Sequence, residues 1–290
     1  VSGASTEHVP VLVTVYIPTR NRPDLLRRAI DSVLAQDHAA LELIVVDDGS
    51  TDETPELLRA CAAADRRVTF LRNDQPVGAP KSRNRAILGA KGDFVTGLDD
   101  DDYFAPTRLG SFLRAWQRLA DRGTKPAGLY SQGIILTPQG TSTTARPPTQ
   151  DYRQLLVQNA LGNQLFAPRA HYIEAGLFDE SLPAWQDLDL FIRILRRFGT
   201  AHLVDEPTYY HDESHGGERI SGKGTRVRAA MEILREKYRD ADAAAATDLM
   251  MQMFNGYYGI RPTWRDLAYL LAHQPSAARL LRLLKRCVRP

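Results

Sequence analysis

The stretch Gly92-Asp-Phe-Val-Thr-Gly-Leu-Asp-Asp-Asp-Asp102 decides how the chain is read. An apolar run ends in four consecutive aspartates, which predicts a buried strand over residues 94–98 with carboxylates at its carboxyl end, where open α/β sheets hold their ligands. Adjacent like charges repel, so folding tolerates four of them when they face water or a cation neutralises them. In an extended segment Asp99 and Asp101 point the same way, which suits Mg2+ or Mn2+ with positions left for water and substrate phosphates. The competing reading is a solvated turn whose aspartates cap a helix beginning near Pro106.

Working outward, strand-like apolar runs at residues 11–17, 41–46 and 68–71 alternate with helical stretches. Pro23 opens the first helix, with Leu25, Leu26, Ala29, Ile30, Val33 and Leu34 on one face. The second helix is expected over residues 51–64, with Asp52 and Glu53 at its positive end, and the third over 79–90. This rhythm predicts an α/β fold with a mostly parallel central sheet flanked by helices. Further on, residues 109–119 read as a helix, 129–136 as a strand, and 137–150 as a polar loop long enough to suspect function. Residues 186–197 read as a helix burying Leu188, Phe191, Ile192 and Leu195. From residue 225 the chain reads as helical in four pieces, broken near 240, 258–262 and 274–275. No internal repeat is visible.

The 290 residues are 43% hydrophobic and 25% charged, with 20 Gly and 17 Pro, which excludes collagen-like, coiled-coil and mostly disordered chains. No stretch approaches the ~20 apolar residues of a membrane span, and the start lacks a signal-peptide layout, so a cytoplasmic protein is expected. Cys61 and Cys287 are too few for a disulfide framework or zinc cluster, and Cys61 reads as a small core hydrophobe. A net charge of +2 gives no reason to expect nucleic acid. The basic residues are unevenly spread, however. Arg279, Arg282, Lys285, Arg286 and Arg289 fill one arc of a terminal helix, with Ala277, Leu280, Leu281, Leu284 and Val288 on another. Such a helix over residues 277–289 suits an anionic membrane surface, here the inner face of the cytoplasmic membrane, or docks its apolar side on the body. Trp264, Tyr269, Leu270 and Leu271 would extend the apolar face, and Tyr257 and Tyr258 likewise.

Two further motifs carry chemistry. Asp47-Asp48-Gly49-Ser50-Thr51-Asp52 ends the second strand, where either carboxylate suits a base N–H or a ribose hydroxyl while Gly49 admits a close backbone; Ser50 or Thr51 also suits a helix N-cap. Lys81-Ser82-Arg83-Asn84-Arg85 opens the third helix, suiting a phosphate or simply a solvated basic face.

In order along the chain, Val15-Tyr-Ile-Pro-Thr-Arg-Asn-Arg22, Glu42-Leu-Ile-Val-Val-Asp-Asp-Gly-Ser-Thr-Asp52, Ser82-Arg-Asn-Arg-Ala86 and Gly92 to Asp102 resemble the family 2 glycosyltransferases of the GT-A fold. The resemblance continues to about residue 221. It implies an inverting transferase that takes a sugar from a nucleoside diphosphate donor, with a GT-A domain over residues 1–222 and a helical extension over 223–290. Carried over by motif, Pro18, Thr19 and Arg22 line the nucleoside pocket with Asp100 nearby, and Asp48, with Asp47 beside it, holds the base. Arg83 approaches the diphosphate or base. Asp99 and Asp101 form the DxD pair that binds Mn2+ or Mg2+, and Asp102 supports them from behind.

The family's general base lies in an acidic pair at a helix start, matched here by Trp185-Gln-Asp-Leu-Asp189. The match points to Asp187, with Asp189 as the alternative; the family's common Glu is Gln186 in this chain. A loop matching His211-Asp-Glu-Ser-His-Gly-Gly-Glu-Arg-Ile-Ser221 follows the base helix in many relatives. It implies His215, or His211 in its place, as a further metal ligand and Arg219 as a diphosphate clamp.

The chemistry accounts for these residue types. Displacing a nucleoside diphosphate builds negative charge on the leaving phosphate, which a cation stabilises. A carboxylate on the opposite face takes the acceptor hydroxyl proton. The expected donor is a UDP-sugar and the expected acceptor a glycan or lipid-linked glycan of the bacterial surface, such as lipopolysaccharide. Three alternatives stand beside this reading: a polyprenyl-phosphate sugar transferase, a non-catalytic nucleotide-sugar binding module, and a phosphohydrolase. The last places its nucleophilic aspartate after the first strand, where this chain has Pro18-Thr-Arg20.

Overall fold

The structure is a computed structural model that describes residues 11–163, 165–214, 224–238, 243–255 and 258–273. His215, Arg219, Tyr257 and the basic segment 277–289 lie outside the described residues.

The first half forms β1 (Val13–Thr19), α1 (Pro23–Leu34), β2 (Leu41–Asp47), α2 (Thr54–Ala64), β3 (Val68–Arg72), α3 (Ala79–Gly89) and β4 (Phe94–Gly97). β1, β2, β3 and β4 are parallel, in the order β3-β2-β1-β4, and β9 (Ala167–Pro168) adds an antiparallel edge beside β4. Side chains on β1 alternate between two apolar clusters. Val13, Val15 and Ile17 pack with Leu26, Ile30 and Leu58, while Tyr16 packs with Ala86, Ile87 and Phe191. A sheet covered on both sides leaves the strand ends as the place for a ligand, and the aspartates follow β2 and β4 there. Gly97 at the end of β4 is required, because a Cβ there would lie 2.6 Å from the Tyr16 ring.

The second half adds β5 (Tyr103–Phe104), α4 (Arg108–Asp121), β6 (Gly128–Thr137), β7 (Gly140–Thr143), β8 (Thr149–Gln150), α5 (Tyr152–Val157), α6 (Arg169–Glu174), α7 (Gln186–Phe198) and β10 (Ala201–Asp212). β5-β10-β6-β7 form a second sheet in which β10 and β6 run parallel. α8 (Gly224–Lys237), α9 (Ala243–Met253) and α10 (Trp264–His273) follow. Met231, Leu234, Leu249, Phe254 and Leu270 belong to the same cluster as Tyr16 and Phe191, so these helices share the core of the sheet.

Four expectations need correcting. α2 begins at Thr54, not near 51, and its N-cap Glu53 makes no side-chain cap; neither Ser50 nor Thr51 caps it. Residues 48–53 instead form a turn in which Ser50 N donates to Asp47 Oδ1 (2.9 Å) and Thr51 N to Asn21 Oδ1 (2.8 Å). The polar stretch 137–150 holds β7, folded back on β6, and β8, paired with β10. β10 escapes a periodicity reading because Asp205, Glu206 and Pro207 interrupt it, and the register with β6 slips at that point. Trp264, Tyr269, Leu270 and Leu271 do not share one face. Leu270 is buried and Tyr269 stacks on His273, leaving Trp264, 85% exposed, and Leu271 on the surface. Cys61 is a buried free thiol in the core, as expected. Among the described residues no helix is long and apolar enough to cross a membrane.

Candidate active site

The four aspartates do not continue β4. The chain turns at Asp100 and Asp101, and Asp102 N donates to Asp99 O at 3.1 Å. The turn, rather than strand alternation, gathers Asp99 and Asp101, and it brings Asp102 with them. One carboxylate oxygen from each of the three lies within 4.8 Å of the others. Three hard oxygen donors at that spacing fit a divalent cation of the Mg2+ or Mn2+ kind. Asp100 is not one of that group. It is buried, accepts from Thr19 Oγ1 at 2.7 Å and pairs with Arg22 at 3.1 Å. Burial, opposed by Arg22 and reinforced by Asp101, pushes its carboxyl up to about 7. Arg22 also reaches Asp101 at 3.0 Å, so the end of β1 is stitched to the acidic turn; Pro18, half-buried, sits opposite Val46 on β2.

Arg83 is the hinge between the acidic turn and α7. Its Nη2 donates to Asp99 Oδ1 at 2.9 Å, and its Nη1 lies 3.4 Å from Asp187 Oδ1. Asp187 sits in the first turn of α7, entered through a left-handed Trp185 (φ 61°). Burial raises its carboxyl pKa against the pull of Arg83, and the charge of Asp99 adds to the rise, although about a quarter of the side chain still meets solvent. Such a carboxylate is a better proton acceptor than a free one. Asp189 is on another face of α7. Fully buried, it binds Arg193 at 2.8 Å, Lys237 at 2.9 Å and the Tyr238 hydroxyl at 2.8 Å, locking α7 to α8. The structure brings Asp187 to the acidic turn and does not bring Asp189.

Asp48 is held by Val77 N, Asn73 Nδ2 and Ser82 Oγ on Oδ1 and by Gly78 N on Oδ2. Burial alone would raise its pKa, but these donors hold it below the usual carboxylate value. With Oδ1 accepting three bonds, Oδ2 keeps room for a further donor. Asp47 is completely buried against Arg72 (3.2 Å) and the Ser50 amide, which makes it a brace of the turn. Gly49 does admit a close backbone, but it is the chain's own: a Cβ there would lie 3.0 Å from Pro76 N, and φ is +72°.

Two neighbours, Arg28 and Asn163, left no sequence signal, and His211, the alternative ligand of the resemblance, lies beside them. Arg28 pairs with Asp212 and donates to the Asp101 carbonyl at 2.7 Å. Asn163 Nδ2 donates to Asp99 Oδ2 at 2.6 Å and to the Tyr209 hydroxyl at 3.0 Å, while its buried Oδ1 has no hydrogen-bond partner among the described residues. His211 Nδ1 is 3.5 Å from Asp102 Oδ2. Each comes from an element distant in sequence, so only folding makes it part of the site.

Residues 14–163, about half the chain, match the family described as Glycosyl transferase family 2. The chain belongs to that family. This glycosyltransferase is 35% identical over 263 residues to WcaA of Escherichia coli strain K12, named for a glycosyl transferase of colanic acid biosynthesis, covering 90% of this chain and 93% of WcaA. Other relatives are longer, and the chain spans about a third of their length. Among solved structures, the transferase resembles S. aureus TarS 1-349 in complex with UDP-GlcNAc (TM-score 0.68, 18% identity, 95% of this chain and 79% of that one). It also resembles the mannosyltransferase PcManGT of Pyrobaculum calidifontis with GDP-Man and Mn2+ (TM-score 0.58, 21% identity, 96% and 80%). The α/β architecture is that of the GT-A glycosyltransferases.

Proposed function

We propose that the protein is an inverting glycosyltransferase that moves a sugar from a UDP donor to a hydroxyl of a bacterial surface glycan, with Mn2+ or Mg2+ as cofactor. The observation that carries this reading is Arg83, which holds Asp99 of the acidic turn and Asp187 of α7 on one guanidinium. Carboxylates 88 positions apart thereby face one cleft, one beside a cation site and one with a raised pKa. The name of WcaA supports a polysaccharide acceptor, and the UDP-GlcNAc bound to TarS supports UDP.

In this reading Asp48 Oδ2 takes a donor from the base, and Pro18, Thr19, Arg22 and Asp100 wall the nucleoside pocket. Asp99, Asp101 and Asp102 would hold a divalent ion, which supplies charge stabilisation for the departing diphosphate. Asp187 accepts the proton of the acceptor hydroxyl as its oxygen bonds the anomeric carbon and the bond to the diphosphate oxygen breaks with its electron pair, inverting the centre. Arg83 keeps Asp187 aligned, and the free Oδ1 of Asn163 accepts from a substrate hydroxyl. His215, or His211 in its place, as a further ligand, and Arg219 as a clamp, rest on the family resemblance. So do the transferase domain at 1–222 and the extension at 223–290. Segment 277–289 would bring the enzyme to anionic lipid.

The test is a thermal-shift panel of UDP, dTDP and GDP with and without Mn2+. A ligand that binds only the native state raises its stability by mass action. UDP with Mn2+ should give the largest rise; absence of any nucleotide response would end the proposal.

A further inference from the structure

Arg146 sits in the segment between β7 and β8, half-buried beside the acidic turn. Its Nη1 donates to the Leu161 carbonyl at 2.9 Å and its Nη2 lies 3.5 Å from His211 Nε2. The other nitrogen of that imidazole faces Asp102, so one ring separates the guanidinium from the cluster. Two glycines leave it space: a Cβ at Gly162 would lie 3.4 Å from Nη2, and one at Gly133 3.5 Å.

Three other arginines around this cleft have carboxylates: Arg22 has Asp100 and Asp101, Arg28 has Asp212, and Arg83 has Asp99 and Asp187. Arg146 forms no ion pair with any carboxylate among the described residues, and the polar groups it does meet are a carbonyl and an imidazole. A half-buried cation without an anion is costly. Burial pulls its pKa down to about 10, with Tyr130 and Tyr209 only partly offsetting, and the buried Arg108 guanidinium lies close enough to repel it. Its planar fork suits a carboxylate or phosphate.

We propose that Arg146 binds an anionic group of the acceptor, a carboxylate or phosphate carried by the glycan, next to the acidic turn. This rests on the transferase reading above. The donor is an unsuitable source, because its nucleoside lies toward Thr19, Arg22 and Asp48 and its diphosphate toward Asp99 and Asp101. Arg146 reaches the cluster through other residues, His211 and Asp102.

The experiment uses the full chain saturated with UDP and Mn2+, so that the diphosphate site is filled. Thermal shifts are then recorded with methyl glucuronide, with inorganic phosphate, and with methyl glucoside plus KCl at matched ionic strength. A further rise with either anion but not with the neutral sugar is expected. Glucuronide alone would indicate an acidic sugar, and phosphate alone a phosphorylated acceptor. Arg146→Gln should abolish this second rise and Arg146→Lys should keep part of it, both with the UDP–Mn2+ shift unchanged. A UDP–Mn2+ shift with no response to either anion, or a response that survives in Arg146→Gln, overturns the assignment. If Arg146→Gln does not fold, Arg146→Lys decides it: a second rise as large as in the unsubstituted protein overturns the assignment. Absence of the UDP–Mn2+ shift is a separate outcome: it removes the donor reading and the acceptor assignment with it.

Discussion

Asp187 and Asp189 are two positions apart on one helix and have opposite fates. Asp187 keeps one weak partner, Arg83 at 3.4 Å, and some contact with solvent, whereas Asp189 spends its carboxylate on Arg193, Lys237 and Tyr238 in full burial. A base needs an oxygen left to receive a proton, and only Asp187 has one. Asp187→Asn should therefore lower kcat by about a hundredfold to ten-thousandfold, the range for losing a positioned general base. The UDP–Mn2+ thermal shift should persist, since Asn keeps the shape. Turnover unchanged by the substitution would remove Asp187 from the base role, and donor binding with no turnover in the unsubstituted protein would favour a non-catalytic binding module. Asp189→Asn should instead lower the melting temperature, because it strands Arg193 and Lys237 against a neutral side chain.

At the scale of elements, turns carry the site. The turn after β2 depends on Gly49, whose φ of +72° and near contact with Pro76 leave no room for a side chain. Gly49→Ala should cost about 1–3 kcal/mol in chemical denaturation, the range for a strained backbone conformation. It should also weaken nucleotide binding, because the same approach delivers the Val77 and Gly78 amides to Asp48. The loop before α7 is tied to α8 by Asp179 and Lys237 at 2.7 Å. Burial would raise the Asp179 carboxyl, but Lys237 and Ser181 hold it down to about 2 from an ordinary 3.8. A depressed folded pKa means that the unfolded chain binds the proton more readily. The pair's contribution is therefore complete above pH 3.8 and lost as pH falls toward 2. At neutral pH Asp179→Asn should destabilise by about 1 kcal/mol, discounted for the solvent that still reaches the pair. In acid melts the two proteins should converge over that window.

For the whole molecule, the prediction concerns membranes. Trp264 is 85% exposed on α10, and Arg261 and Arg265 are exposed beside it, preceding a segment with five basic residues and no acid. Vesicles containing anionic lipid should sediment the protein in a salt-sensitive way, and neutral vesicles should not. Trp264→Ser should reduce that binding; equal binding would show that α10 takes no part. The parallel half of the fold was legible because strands buried on both faces are continuous apolar runs, and a helix on one face repeats its apolar residues every three to four positions. β10 was not legible, since Pro207 and its acidic neighbours break the pattern and pairing with β6 restores the strand. By itself the chain's order of residues determined the α/β sheet, the carboxylates at its strand ends and the family to which it belongs, because these depend on local periodicity and on motifs contiguous in sequence. Only the tertiary structure decided which aspartate faces the cleft, that Asp102 joins Asp99 and Asp101, and that Arg83, Asn163 and Arg146 surround them. A side chain's partners come from elements a hundred residues away, and no local pattern encodes that distance.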